Sequence, residues 1–234
     1  WIITAAMTVL AICYTMIIPF LPIYLLELGV PKADVALWSG LVFGITFLIA
    51  GIMAPIWGKI ADNKGKKRMA LRAGFAIAIC YVLIGLVTDQ YQLLMGRALV
   101  GFANGFYPAA MTMVSLSVDE KQVGRALGIF QTGLILGNVI GPFLGGAVES
   151  VVGMRPVFYV SGIVVFIATL AVLFFVKEPK LHAVGADGKE QAAHHTKSTS
   201  LREDFKAVQQ QPVLVRLLWI FFFMQCAIMM LQPI

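Results

Sequence analysis

The chain has 234 residues, 59% of them apolar and 13% charged, with a net charge of +6. An ordinary soluble domain carries about 25% charged residues, and at a mean hydropathy of +0.86 a soluble fold cannot cover so much apolar surface. A secreted disulfide scaffold, a disordered tail and a cytosolic enzyme are excluded, and because the bases sit in short segments between apolar runs rather than on a stripe, so is nucleic acid as a partner.

Seven runs reach or approach the roughly 20 apolar residues that a spanning helix requires. The first, residues 1–26, holds Cys13, Tyr14, Met16 and Pro19-Phe-Leu-Pro22, and ends beside Glu27. Asp34 is a candidate N-cap for the second run, 37–57, which carries Phe47 at mid-span. The stretch Gly58-Lys-Ile-Ala-Asp62-Asn-Lys-Gly65-Lys66-Lys67 follows. Its two glycines permit a tight turn between antiparallel helices. Asp62 is the one acid among six bases of that connection and is expected to pair locally.

The third run, 69–87, is unremarkable apart from Cys80. Cys13, Cys80 and Cys226 all lie within apolar runs and read as small buried hydrophobes. The fourth run, 91–116, contains Arg97, the one charge clearly inside a span, about two helical turns from its outer end. At mid-membrane an arginine costs about 2.5–3.5 kcal/mol, so Arg97 either snorkels to the outer interface or serves a pairing role. Helical spacing places Gly101 and Gly105 on one ridge with it.

Ser117-x-x-Glu120 reads as a capping box for the fifth helix. In that run, 123–148, Gly133, Gly137, Gly141 and Gly145 recur at every fourth position. The ridge is about 18 Å long at 1.5 Å per residue and lets another backbone approach closely. Pro142 cannot donate to the Asn138 carbonyl, which predicts a bend or softening.

The sixth run is 157–176, and a polar stretch, 177–213, separates it from the seventh, 214–234. That stretch reads as a linker with one helix, started by Ser200-x-x-Glu203 and stopped near Gln211 by Pro212. His182, His194 and His195 lack a further ligand, so no metal and no cofactor is expected.

The connections after the second, fourth and sixth runs hold 15 Lys and Arg residues, whereas the alternate ones hold only Lys32 and Arg155. The positive-inside rule therefore puts the amino terminus and the linker in the cytoplasm. Residues 16–20 (Met-Ile-Ile-Pro-Phe) and 230–234 (Met-Leu-Gln-Pro-Ile) align at an offset of 214, which fits two parallel six-span halves, the second expected to follow Ile234. The expected domains are a six-span bundle, 1–176, a cytoplasmic linker, 177–213, and a seventh span, 214–234, that begins a second bundle.

Four segments carry a resemblance. Gly128-x8-Gly137-x3-Gly141-Pro142-x2-Gly145-Gly146 matches every fixed position of the fifth-span motif of the drug:proton antiporters in the major facilitator superfamily. The Gly58–Lys67 stretch is similar to that superfamily's loop motif, with Ile60 for leucine and Asn63 for a base. Arg97-x3-Gly101-x3-Gly105 resembles its fourth-span motif, with Val100 for a frequent glutamine. Pro19-Phe-Leu-Pro22 is similar to a first-span motif of the same antiporters.

The resemblance implies an all-α membrane protein with the major facilitator fold, made of the amino-terminal six-helix bundle, a linker and the start of the second bundle. It implies a secondary active exporter that exchanges lipophilic or amphipathic drugs for protons by alternating access, conferring multidrug efflux and antibiotic resistance without catalysis. The fifth-span glycines and Pro142 would lie near the interface of the halves. Gly58, Asp62, Gly65, Lys66 and Lys67, with Arg125 at a matching basic position, would form a cytoplasmic latch. Its usual acid partner position is occupied by Leu116. Arg97, Gly101 and Gly105 would couple transport to protons, with Glu27 the nearest acid.

Substrate sites in such two-half proteins lie at mid-membrane, where Tyr14, Phe47, Asn104, Tyr107, Gln131 and Asn138 are candidates. Aromatic and methionine side chains with few fixed charges suit lipophilic cations. The expected partners are a small-molecule substrate, protons and the lipid bilayer, with a monomer in a bacterial plasma membrane. The alternatives are a specific sugar or metabolite exporter of the same fold and a seven-span receptor, which requires an external amino terminus.

Overall fold

The computed structural model describes residues 1–176 together with Arg216, Ile220, Phe223 and Met224. The linker with its histidines and capping box, and most of the seventh span, lie outside the described residues. Residues Trp1–Leu181 form one compact unit and His182–Ile234 another; the first holds everything described below.

Six stretches of this unit are long and apolar enough to cross a membrane, and among the described residues there is no strand. The first span is α1 (Ile2–Ile17), a 3-10 turn (Ile18–Phe20) and α2 (Leu21–Glu27). Pro19 and Pro22 each sit in the opening turn of the next segment, where a missing N–H is harmless. The second span is α3 (Val35–Lys64) and the third is α4 (Lys66–Gly85). The fourth is divided into α5 (Gln90–Ala103) and α6 (Phe106–Leu116). The fifth is α7 (Val123–Val152) and the sixth α8 (Met154–Phe175).

Helix boundaries differ from the hydropathy reading where charged residues continue a helix beyond the apolar run. α3 extends to Lys64, so Gly58 lies within a helix and Gly65 alone makes the turn, at φ +99°. α4 starts at Lys66, which places Arg72 inside the third span. Asp34 occupies the N-cap position of α3 in helical geometry and makes no side-chain cap bond. The expected capping box of the fifth span is not formed. Ser117 Oγ instead donates to the Met113 carbonyl at the end of α6, and Glu120 opens a 3-10 turn.

Close packing runs through α1–α7 and α4–α8. A Cβ on Gly162 of α8 would stand 3.0 Å from the Ala78 carbonyl oxygen of α4. The buried Tyr24 of α2 donates to the Ile84 carbonyl at 3.0 Å and packs on Phe158 with ring centroids 5.1 Å apart. Tyr159 donates to Gly85 at 2.9 Å, so two tyrosines close the carboxyl end of α4. Cys13 and Cys80 are buried free thiols. α3 and α7 present exposed apolar faces, with Leu48 and Ile52 on one and Ile135 and Phe143 on the other.

Tyr24→Phe removes the bond to Ile84 and keeps the ring. It is expected to cost about 1 kcal/mol, measured as a lower melting temperature in detergent; an unchanged melting temperature would mean that the ring alone matters.

Candidate functional site

The glycine ridge of the fifth span meets the first span. A Cβ on Gly137 would stand 2.8 Å from the Thr8 carbonyl oxygen and 2.7 Å from Ala11 Cβ. On Gly141 it would collide with Thr15 Oγ1 and lie 2.7 Å from the Ile12 carbonyl oxygen. On Gly145 it would collide with the Met16 carbonyl oxygen. Gly133 abuts Thr8 and Thr4 in the same way. Thr15 Oγ1 lies 2.8 Å from the Ala11 carbonyl and 3.2 Å from that of Gly137, tying the two backbones together.

Not every motif position shares this contact. A Cβ on Gly146 would meet only Phe20 at 3.3 Å, and on Gly128 nothing within 4 Å. α7 remains helical through Pro142.

Arg97 does not snorkel. It is 2% exposed, and its Nε and Nη2 make no hydrogen bond among the described residues. Glu27, exposed at the end of α2, makes no ion pair with it. Tyr14 and Tyr81 are the titratable side chains close enough to act on it electrostatically. A guanidinium keeps its proton, so this is a permanent charge inside the helix bundle. The backbone beside it is fixed by Thr46 Oγ1, 3.0 Å from the Val42 carbonyl and 3.2 Å from that of Arg97. Gly101 lies against the Thr46 carbonyl, bringing α5 and α3 together. The expected ridge ends there, because the helix breaks at Asn104 and Gly105 and the latter is no longer in register.

At the turn between α3 and α4, Asp62 pairs with Lys66 one turn on, and Lys67 Nζ donates to the Leu173 carbonyl of α8 at 2.8 Å. Asp62 and Lys66 line a cavity of about 310 Å³ with Trp57, Asn104, Gly105 and Pro108. Arg125 lines a different one, about 470 Å³, with Trp1, Thr4 and Gln122. The structure therefore joins the loop residues to one another and leaves Arg125 apart.

The substrate candidates are likewise split. Gln131 Nε2 donates to Tyr107 Oη at 3.0 Å, Tyr14 lies beside Arg97, and Asn104 lines the first cavity. Phe47 is exposed on α3 and Asn138 on α7. No contact among the described residues gathers all six.

Sequence reasoning missed Arg72. Its guanidinium carbon lies 3.5 Å from the centroid of the Trp57 ring, and Nη2 donates to the Ala103 and Asn104 carbonyls. The signal was available, since a helix starting at Lys66 carries position 72 well into the span.

An all-helical bundle of six spans, each long and apolar enough to cross a membrane, defines an integral membrane protein. The family model described as Major Facilitator Superfamily matches residues 3–234, and the chain belongs to that superfamily. It corresponds to the amino-terminal half of such a transporter. It is 45% identical over 166 residues to the Multidrug resistance protein MdtG of Proteus mirabilis, covering 70% of this chain and 41% of that one. The MdtG of Dickeya zeae is 41% identical over the same shares. The chain thus spans about two-fifths of the length of the curated relatives it matches.

Among solved structures, a bacterial homolog of the human lysosomal transporter Spinster superposes with a TM-score of 0.69 at 21% identity, covering 90% of this chain and 48% of that one. The human organic anion transporter MFSD10 gives 0.66 at 16%, covering 79% and 50%. These two establish the fold alone.

The packing orders the glycines. Alanine at Gly137, Gly141 or Gly145 is expected to destabilise the bundle by about 1–3 kcal/mol through overpacking, Gly146→Ala by less, and Gly128→Ala not at all. Thermal unfolding of the five variants in detergent checks the order; equal effects would show that α1 does not lie on this ridge.

Proposed function

We propose that the chain is the amino-terminal part of an exporter that exchanges lipophilic or amphipathic compounds for protons by alternating access. The observation that carries this reading is the glycine ridge locked onto the first span. Between Gly137 and Gly145 the first span meets backbone and small side chains, Ala11 and Thr15, rather than large interdigitating ones. Such an interface suits an element that re-packs between inward- and outward-open states. The names of the relatives, multidrug resistance proteins, support the substrate class.

In this reading Arg97 is the fixed charge whose electrostatic field in the bundle changes as protons bind and leave. Glu27, Asp34, Asp62 or a residue of the second half supplies the titrating acid. The loop of Gly58, Asp62, Gly65, Lys66 and Lys67 acts as the cytoplasmic latch, with Arg125 a separate basic contact. Tyr14, Asn104, Tyr107 and Gln131 face the substrate, while Phe47 and Asn138 reach it only from the exposed faces of α3 and α7. The domain division at 176 and 213, a cytoplasmic amino terminus, a bacterial plasma membrane and a monomeric transporter complete the proposal.

The test uses the full-length transporter in inside-out vesicles, acid inside, with a fluorescent lipophilic cation. Uptake is expected, and is expected to vanish when the gradient is collapsed. Uptake that survives collapse would refute proton coupling, and none across several such dyes would refute the substrate class. In the same assay Asp62→Asn is expected to slow uptake severalfold, as a weakened latch requires; native rates would return the loop to a topological role.

A further inference from the structure

The fourth span is interrupted inside the apolar layer. α5 stops at Ala103 and α6 begins at Phe106. Two residues dictate the break. Pro108 has no N–H for the Asn104 carbonyl, and its ring excludes that carbonyl from helical position. Gly105 adopts φ +137°, a conformation that L side chains rarely take. An interruption here frees carbonyls where lipid offers them no donor.

Side chains from two other spans supply the donors. Trp57 Nε1 on α3 donates to the Phe102 carbonyl at 2.8 Å. Arg72 Nη2 on α4 lies 3.1 Å from the Ala103 carbonyl and 3.2 Å from that of Asn104. The guanidinium stacks over the Trp57 ring at 3.5 Å, and that ring meets Phe102 edge-on at 5.3 Å. Asn104 Oδ1 accepts the Gly105 N–H at 2.8 Å. Arg72 also places a positive charge at the carboxyl end of α5, where the helix dipole is negative.

The bonds to the Phe102, Ala103 and Asn104 carbonyls are all made by side chains of other helices. Below the break lies open space. The 310 Å³ cavity is bounded by Asn104, Gly105, Pro108 and Ala109 on one side and by Ala50, Ala54 and Gly58 of α3 on the other. Small residues on α3 leave room for α6 to move toward it.

We propose that the Asn104–Gly105 break is a working hinge, that α6 swings about it into this cavity, and that Arg72 and Trp57 are positioning residues that hold the present arrangement. α6 carries Tyr107, bonded to Gln131 of α7, so the swing moves a substrate candidate. The role in transport rests on the export reading; the existence of the hinge does not. An 11-residue α6 is about 16 Å long, and a rotation of about 20° shifts its inner end by about 5 Å.

The test places nitroxide labels at Met95, 70% exposed on α5, and Leu116, 40% exposed at the end of α6, in the full-length transporter in lipid nanodiscs without substrate. Pulsed electron resonance reads the distance between them. The native protein is expected to show one dominant distance. Arg72→Lys, which loses the stacked fork geometry, is expected to populate a second distance displaced by about 5 Å, shifting the ratio roughly tenfold. Trp57→Phe keeps the ring, loses the donor, and is expected to show a smaller second population; it carries the test if Arg72→Lys does not fold. Lowered thermal stability with one unshifted distance would show a purely structural clasp and overturn the hinge. With tetraphenylphosphonium, Arg72→Lys is expected to keep the native Kd while uptake slows. Native protein that neither binds nor moves this cation would fail the export reading and leave the distance result to decide the hinge separately.

Discussion

Everything in this unit answers to one constraint: in lipid, each backbone N–H and C=O must find its partner within the protein. Continuous helices meet it without help along their length. The informative places are those where the helix stops short. At Ala103 and Asn104 the missing partners come from Arg72, and at Phe102 from Trp57. At the carboxyl end of α4 they come from Tyr24 and Tyr159. These side chains are polar at the tip and long or aromatic in the body, which lets them cross an apolar interface and deliver one donor.

The second organising feature is how closely backbones approach. Water drives soluble helices together, whereas membrane helices associate through contact and hydrogen bonds. α1 and α7 use glycine for the contact and Thr15 for the bond. α3 and α5 repeat the scheme with Gly101 and Thr46. In both pairs a threonine hydroxyl lies between a carbonyl of its own helix and one of the next, so the same small side chain supplies closeness and orientation.

Charge is distributed by the same economy. The pair Asp62–Lys66 and the base Lys67 lie at the turn between α3 and α4, at the end of the bundle, where water shares the load. Arg72 is settled against carbonyls and an indole ring. Arg97 alone is buried with two nitrogens unpartnered among the described residues. A buried group left in that condition calls for an explanation, and Tyr14 of α1 and Tyr81 of α4 are the titratable side chains that act on it electrostatically.

The first six spans and the family were legible in the sequence, because apolar run length and short glycine motifs are local properties. The break in the fourth span was missed: Asn104-Gly105 followed by Pro108 is a turn signal, but the surrounding apolar run read as one continuous helix. What the sequence could not supply was the partner of each surface. A glycine ridge announces a close neighbour without naming it, and the neighbour is α1. Gly128 and Gly146 belong to the same motif and meet little or nothing. Arg97 had either to reach the interface or to stay inside, and packing kept it inside. Arg72 read as a loop base until the start of α4 carried it into the span. These outcomes depend on contacts between residues tens to more than a hundred positions apart, such as Thr15 with Gly137, and only the tertiary fold brings those together.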